Sequence, residues 1–355
     1  MAGRTDENTF EKQSGKLGVQ MKIGKISESV LKRSILKQVN VRREEVLLGA
    51  GVGEDCAAMQ LKPDEVFTFS TDPITGTTKD IGGLAIHITA NDLATSGAQP
   101  VAVLLSVLLP PSVDEEEIRT VMSQVERACQ ELNIQVIGGH TEVTAAVNQI
   151  VLTVTGIGKV KRDHLIATGG ARPGQDLVVT KWVGVEGTSI IAKECEQMLK
   201  CRFPEEFVET AKGFDQYLSV VPEAEIAAAC GASAMHDVTE GGIFGALWEL
   251  GEASDLGLEV DLKKLPIRQE TVEICNYLDL NPYALISSGS LLIATDHGSQ
   301  LVSELDKAGI SAAVVGHTTD GNGRVVRNEE DTRYLEPPKT DELYKIYDRE
   351  GNEDK

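Results

Sequence analysis

Acidic and amide side chains recur in this sequence beside glycines and turns. The clusters are Gly51-Val52-Gly53-Glu54-Asp55, Thr71-Asp72, Asn91-Asp92, Gly138-Gly139-His140-Thr141-Glu142 and Asp237-Val238-Thr239-Glu240-Gly241-Gly242. Hard carboxylate oxygens suit Mg²⁺, and glycine turns offer backbone N–H groups to phosphate, so the combination points to metal-assisted phosphate chemistry. Each cluster also has a plainer reading. Asp72 before Pro73 is a common turn pair. The G-x-G-x-G run at 49–53 lacks the dinucleotide spacing. His87, one helical turn before Asn91, fits a core histidine. Asn91-Asp92 is the most informative pair, because a carboxylate on a buried helix face is unfavourable unless paired or metal-bound. The sequence holds no G-x-x-x-x-G-K-[ST] and no G-x-S-x-G, which argues against P-loop and nucleophile-elbow chemistry.

These clusters need elements to hold them. Ser27 is a candidate N-cap for a helix carrying Leu31, Ile35, Leu36 and Val39. A strand at 66–70 runs into Thr71-Asp72-Pro73. Asp80 can cap a helix to about residue 96, ended by Gly97, with Asn91 and Asp92 in its interior. The apolar run 101–109 reads as a strand covered on both faces. Ser112 and Glu115 make a capping box for a helix whose stripe is Ile118, Val121, Met122, Val125, Cys129 and Leu132. A strand at 134–137 then breaks at Gly138-Gly139, and another spans 150–160. After a glycine-rich boundary at 167–174 come a strand at 176–180, helices at 187–199, 204–217 and 222–230, and a strand at 232–236 leading into the Asp237 turn. A helix through 250, strand 291–295, helix 299–308 and strand 312–316 complete an α/β alternation.

The 355 residues suit two domains. The expected division is a flexible extension at 1–20, an N-terminal domain at 21–165, a C-terminal domain at 172–320 and a solvated acidic tail at 336–355. Against 34 Lys+Arg stand 55 Asp+Glu, a net charge of -21 with no basic patch, which disfavours nucleic acid. The six cysteines, Cys56, Cys129, Cys195, Cys201, Cys230 and Cys275, have no C-x-x-C spacing, so reduced core thiols are expected rather than zinc ligands or disulfides. With no membrane-length apolar run and no signal-peptide pattern, the expected location is the cytoplasm.

Taken together and in order, the blocks STDPITG, DIGGLAIHITANDLATSGAQP, DVTEGG and LDLNPYALISSGSLLIA resemble one superfamily. It includes aminoimidazole ribonucleotide synthetase, selenophosphate synthetase, thiamine-monophosphate kinase and the hydrogenase-maturation carbamoyl dehydratase, whose branch is most similar. The resemblance covers about residues 22–320. It implies a two-domain α/β (α+β) fold, with an N-terminal sheet domain that pairs across a homodimer and a C-terminal α/β domain. It also implies ATP and Mg²⁺ as cofactors, a small-molecule acceptor and a possible maturation partner protein. By motif position, Asp55, Asp72 and Asp92 would hold Mg²⁺ and phosphates with Asn91 in support. Gly138, Gly139, Thr141 and Glu142 would contact the nucleotide, and Asp237 and His140 would act in catalysis. The implied chemistry is phosphoryl transfer to an oxygen, which turns it into a leaving group by alignment and charge neutralisation. A kinase that releases a phosphorylated product, or a nucleotide-binding maturation scaffold with little catalysis, are the alternatives.

The sequence departs from that branch at three places. Gly139-His140-Thr141-Glu142 stands where the branch has G-D-T-K, a form nearer to selenophosphate synthetase. Glu240 stands where it has Arg. The branch ends in a cysteine that receives the carbamoyl group, whereas the last residues here are Glu353-Asp354-Lys355, so carbamoyl dehydration on its own C-terminus is not expected.

Overall fold

The computed structural model describes residues 23–52, 54, 56–75, 80–329 and 331–346. The extension expected at 1–20, Gly53, Asp55 and the sequence beyond 346 lie outside the described residues.

The first half runs β1 (Gly24–Lys25), α1 (Glu28–Val30), β2 (Val46–Leu48), β3 (Ala58–Met59), β4 (Glu65–Ile74), α2 (Ile81–Thr95), β5 (Gln99–Leu109), α3 (Glu115–Leu132), β6 (Gln135–Val143) and β7 (Val151–Lys161). Ser27 caps α1 as expected, its hydroxyl accepting from the Val30 amide at 3.5 Å. Five strands form one sheet in the order β1-β6-β5-β7-β4; only the β5–β6 pair is parallel. The nearly all-apolar β5 is central and buried along most of its length, as a strand covered on both faces must be. Helices α2 and α3 pack on each other, and α2 packs on β4 and β7. The α3 capping box is Asp114 and Glu117 rather than Ser112 and Glu115: each side chain accepts from the other's amide at 2.9 Å.

The strand expected to break at Gly138-Gly139 continues to Val143. Glycine there serves a close approach instead. Gly139 has φ 148°, and a Cβ built on it would lie 2.0 Å from the Leu105 carbonyl oxygen of β5.

The second half runs β8 (Asp176–Thr180), α4 (Val185–Glu194), α5 (Glu196–Lys200), α6 (Glu205–Lys212), α7 (Val221–Ala229), β9 (Ala234–Asp237), α8 (Gly242–Ala253), β10 (Gly257–Asp261), α9 (Gln269–Tyr277), β11 (Leu291–Thr295), α10 (Gly298–Lys307), β12 (Ala312–Thr319), β13 (Arg324–Asn328) and β14 (Asp331–Tyr334). Its seven-stranded sheet has the order β14-β13-β10-β12-β8-β11-β9, antiparallel except for β10–β13. The helix expected at 187–199 is two helices, because Cys195 leaves helical geometry at φ -95°, ψ 23°. The halves share a core: Ala94 of α2 packs with Val178, Val220, Met235 and Leu291 of the second half.

Two expectations are corrected here. The acidic segment near the C-terminus is not wholly solvated, since Asp341, Leu343 and Ile346 are buried. Asp341 accepts from the Gly241 amide at 2.7 Å, while Leu343 and Ile346 join Ile191, Leu199 and Leu285 in a core. Nor are all cysteines core: Cys129, Cys195 and Cys275 are buried, but Cys56 and Cys201 are exposed.

Candidate active site

On β4, Ser70 and Asp72 stand two residues apart and so share one face of the strand. Helix α2 lies over that face and brings Asp92 down to it. The Ser70 hydroxyl donates to Asp92 Oδ2 and lies 3.2 Å from Asp72 Oδ2. Asp237 enters from the other half at the end of β9, the edge strand of the second sheet, which packs on α2. Three sequence-predicted residues, Asp72, Asp92 and Asp237, therefore meet between the two sheets.

Their electrostatics are unfavourable as they stand. Burial, and then the Asp237 charge, push the Asp92 carboxyl up to about 8; Asp72 adds to the rise and the Ser70 hydroxyl opposes it. Asp237 is 6% exposed and is also raised, first by burial and further by Asp72 and Glu249, against the lowering effect of His236. Its Oδ2 is buried without a hydrogen-bond partner. An orphaned carboxylate oxygen among like charges is a costly arrangement that a cation would relieve. Hard oxygen donors fit Mg²⁺ in kind. Among the described residues no group of three or more His, Cys, Asp or Glu side chains is already gathered as a metal cage, and Asp55 lies outside those residues.

Asn91 has a different task from the one expected. It is fully buried, its Nδ2 donating to the Leu218 carbonyl at 2.8 Å and its Oδ1 accepting from the Val220 amide at 2.8 Å. Its amide is spent joining α2 to the segment before α7, so it does not face the carboxylates.

The glycine cluster forms a second region. Gly138, Gly139, His140 and Thr141 line a cavity of about 180 Å³ together with Gly49, Ala50, Gly51 and Glu54. Glu142 is not in its lining; it turns to His140, whose Nε2 lies 3.3 Å from Glu142 Oε2 on the exposed surface. The sheet register separates the two regions. Asp72 pairs with Val154, Val154 with Leu105, and Leu105 with Gly139. Three strand spacings make this about 14 Å.

Sequence reading missed two residues. Ser70 was signalled by its i, i+2 relation to Asp72 on an alternating strand. Glu186, wholly buried in α4, was signalled only by a carboxylate inside the apolar run Val183-Gly184-Val185-Glu186-Gly187.

Residues 53–160 match the family described as AIR synthase related protein, N-terminal domain, and residues 172–328 match the corresponding C-terminal domain. The chain is 26% identical over 333 residues to a protein of Methanocaldococcus jannaschii named for hydrogenase expression and formation, covering 91% of this chain and 97% of that one. It is 28% identical over 239 residues to the carbamoyl dehydratase HypE of Rhodobacter capsulatus, covering 65% and 68%. A crystal structure of the hydrogenase maturation protein HypE in complex with ATP superposes with a TM-score of 0.75 at 21% identity, over 90% of this chain and 97% of that one.

Proposed function

The chain belongs to the AIR synthase related family, and on that premise we propose that it is a Mg²⁺·ATP-dependent enzyme that phosphorylates, and so activates, an oxygen of a small acceptor. The observation that carries this is the meeting of Asp72 and Asp92 from one half with Asp237 from the other, leaving Asp237 Oδ2 buried and unpartnered. The likeness to a HypE structure that holds ATP supports the choice of nucleotide.

Asp72 and Asp92, with Asp55, would hold Mg²⁺, which when bound supplies charge neutralisation to the phosphates. Ser70 fixes the Asp92 carboxylate by its hydrogen bond. The glycine-lined cavity offers space between largely glycine and apolar walls, with Lys25, Glu54 and His140 as the charged or imidazole side chains in its lining. Asp237 Oδ2 accepts the proton of the acceptor's attacking oxygen; a buried carboxylate with a raised pKa is matched to that role. Helix α2 carries Asp92 while its neighbour Asn91 grips the second half, so the two carboxylate-bearing halves are held in fixed relation.

Calorimetric titration with Mg²⁺ and ATP tests the reading, and a protein that takes up no nucleotide would refute it. Phosphorus NMR of the products distinguishes a kinase from an enzyme that goes on to displace the phosphate. A homodimer belongs to the proposal, with exposed Phe67 and Phe69 on β4 as an apolar strip for the pairing of the first-half sheets. So does a cytoplasmic setting. One observation favours an accessory scaffold instead: the exposed His140–Glu142 pair stands where the resemblance has an acid and a lysine. ATP-dependent binding to a maturation partner without ADP release would establish that second reading.

A further inference from the structure

Residues 335–346 lie beyond the region that matches the C-terminal family domain, which ends at 328, and they cross the turn that follows Asp237. Their path is fixed at both ends. The Leu335 amide donates to the Arg324 carbonyl of β13 at 2.8 Å, while Leu343 and Ile346 are buried with Ile191, Leu199 and Leu285. Between these anchors Pro338 closes on the turn, where a Cβ built on Gly241 would lie 3.2 Å from the proline Cβ. Asp341 is the hub of the crossing. It is 2% exposed, and its carboxylate accepts from the Gly241 amide at 2.7 Å, from the Leu343 amide at 2.9 Å and from the Ile286 amide.

One buried carboxylate therefore ties together the Asp237 turn, the loop at 285–290 and the C-terminal segment, and hydrogen bonds to a charged acceptor are the strong ones. Neighbouring contacts join the same three pieces. The Asn281 amide donates to Glu342 Oε2 at 3.0 Å and the Tyr344 hydroxyl to Glu240 Oε1 at 3.1 Å. On the other side of the loop, Glu186 of α4 accepts from the hydroxyl and amide of Ser288. The turn needs such a hold. Asp237 ends the edge strand β9, and Gly241 and Gly242 follow at φ 82° and 61°, a region that glycine visits freely. The Val238 amide donates to the Ser290 carbonyl at 3.0 Å, so the loop bound by Asp341 also holds the residue next to Asp237.

We infer that residues 335–346 are a strap that sets the position of Asp237, and that Asp341 is its positioning residue. The catalytic consequence rests on the role given to Asp237 in the proposed function above; the hold of the strap on the turn does not. Asp341 acts through Gly241 and Ile286 rather than on a substrate. A misplacement of about 1 Å at a reacting group can cost on the order of a hundredfold in rate, so a loosened turn lowers turnover. Nucleotide held by Asp72 and Asp92 of the first half is left in place.

The test compares the full chain with Asp341→Ala, Asp341→Asn and Val208→Ala, the last a truncation in the core shared by Leu343 and Ile346 that makes none of these hydrogen bonds. Two readouts are taken below the melting temperature of every protein: ADP release from Mg²⁺·ATP with water as the acceptor, and amide hydrogen exchange at 237–242. Asp341→Ala should lower kcat about tenfold or more while KM for ATP stays within about twofold. Exchange should quicken at Val238 and Gly242 as well as at Gly241, whose own bond is lost. Asp341→Asn keeps one acceptor oxygen and should recover part of both, and it is scored by the same criteria if Asp341→Ala does not fold. Val208→Ala should lower the melting temperature alone. An unchanged kcat in the Asp341 variants, exchange that quickens only at Gly241, or equal effects from Val208→Ala would overturn the inference. If the parent takes up no nucleotide, the proposed function fails and the exchange comparison alone decides the strap. The exchange comparison decides in the same way for a parent that binds nucleotide but releases no ADP to water.

Discussion

The two regions that could touch a nucleotide are built on opposite principles. Between the halves, Asp72, Asp92 and Asp237 are crowded and charged, and burial raises Asp92 and Asp237 against their own ionisation. Across the first sheet, the cavity at Gly49, Gly51, Gly138 and Gly139 presents mostly glycine and apolar walls, with Lys25, Glu54 and His140 as its few charged or imidazole side chains. The first is a region whose electrostatics call for a ligand, and the second is one whose shape admits one. Side-chain chemistry should therefore dominate substitutions in the first, and backbone geometry those in the second.

The largest effect expected is at Asp237. Asp237→Asn should lower ADP release on the order of 10³-fold while Mg²⁺·ATP binding and melting temperature hold, because a catalytic group and an uncompensated buried charge leave together. Turnover within a few-fold of the parent would erase the distinction between the regions. The cavity should answer differently. Gly139→Ala places a Cβ 2.0 Å from Leu105 O at a φ that L-residues avoid, and should cost about 3 kcal/mol or more in urea unfolding. An unchanged midpoint would mean that β6 can retreat from β5.

Next comes a pH effect. Asp92 is raised when folded, so the folded chain binds more protons than the unfolded one between roughly pH 4 and 8. Stability from this residue is thus greatest at the acid end of that window and falls as pH rises. From about pH 6 to 8 in metal-free buffer, the parent should lose on the order of 2 kcal/mol relative to Asp92→Asn. Parallel stability curves for the two proteins would remove Asp92 from the strained cluster. Breaking the Asn91 clamp with Asn91→Ala should cost about 2 kcal/mol, since two buried backbone groups at Leu218 and Val220 lose their partners. The smallest effect belongs to Glu142→Gln. Its contact with His140 is exposed, and the change in melting should stay within about 0.5 kcal/mol.

What was legible in the sequence followed local signals. β11 lies at 291–295 as read, because five consecutive buried residues make the run apolar up to its last residue, Thr295. Helix α2 was legible from Gly97 at its end, whereas Asp80, expected to cap its start, sits there in left-handed geometry and makes no side-chain cap. Asp92 was legible as a carboxylate inside a largely apolar helix, and Asp237 from the glycine-rich turn that follows it. β10, α9, β13 and β14 were missed; β14 is exposed throughout and carries no apolar signature at all. The Gly138-Gly139 break was misread because glycine's reason there is a neighbouring strand's carbonyl, not a turn. The tasks of Asn91, Ser70 and Glu186 depend on partners from 22 to more than 100 residues away, and no local pattern encodes those.

Ala94 sits in a core with Val178, Val220 and Met235, about one helical turn along α2 from the Asn91 clamp. Two sheets do not, on these terms, make two independently melting bodies. The chain should give a single calorimetric transition whose van't Hoff and measured enthalpies agree, and a backbone cut near 171–174 should leave fragments that need each other to fold.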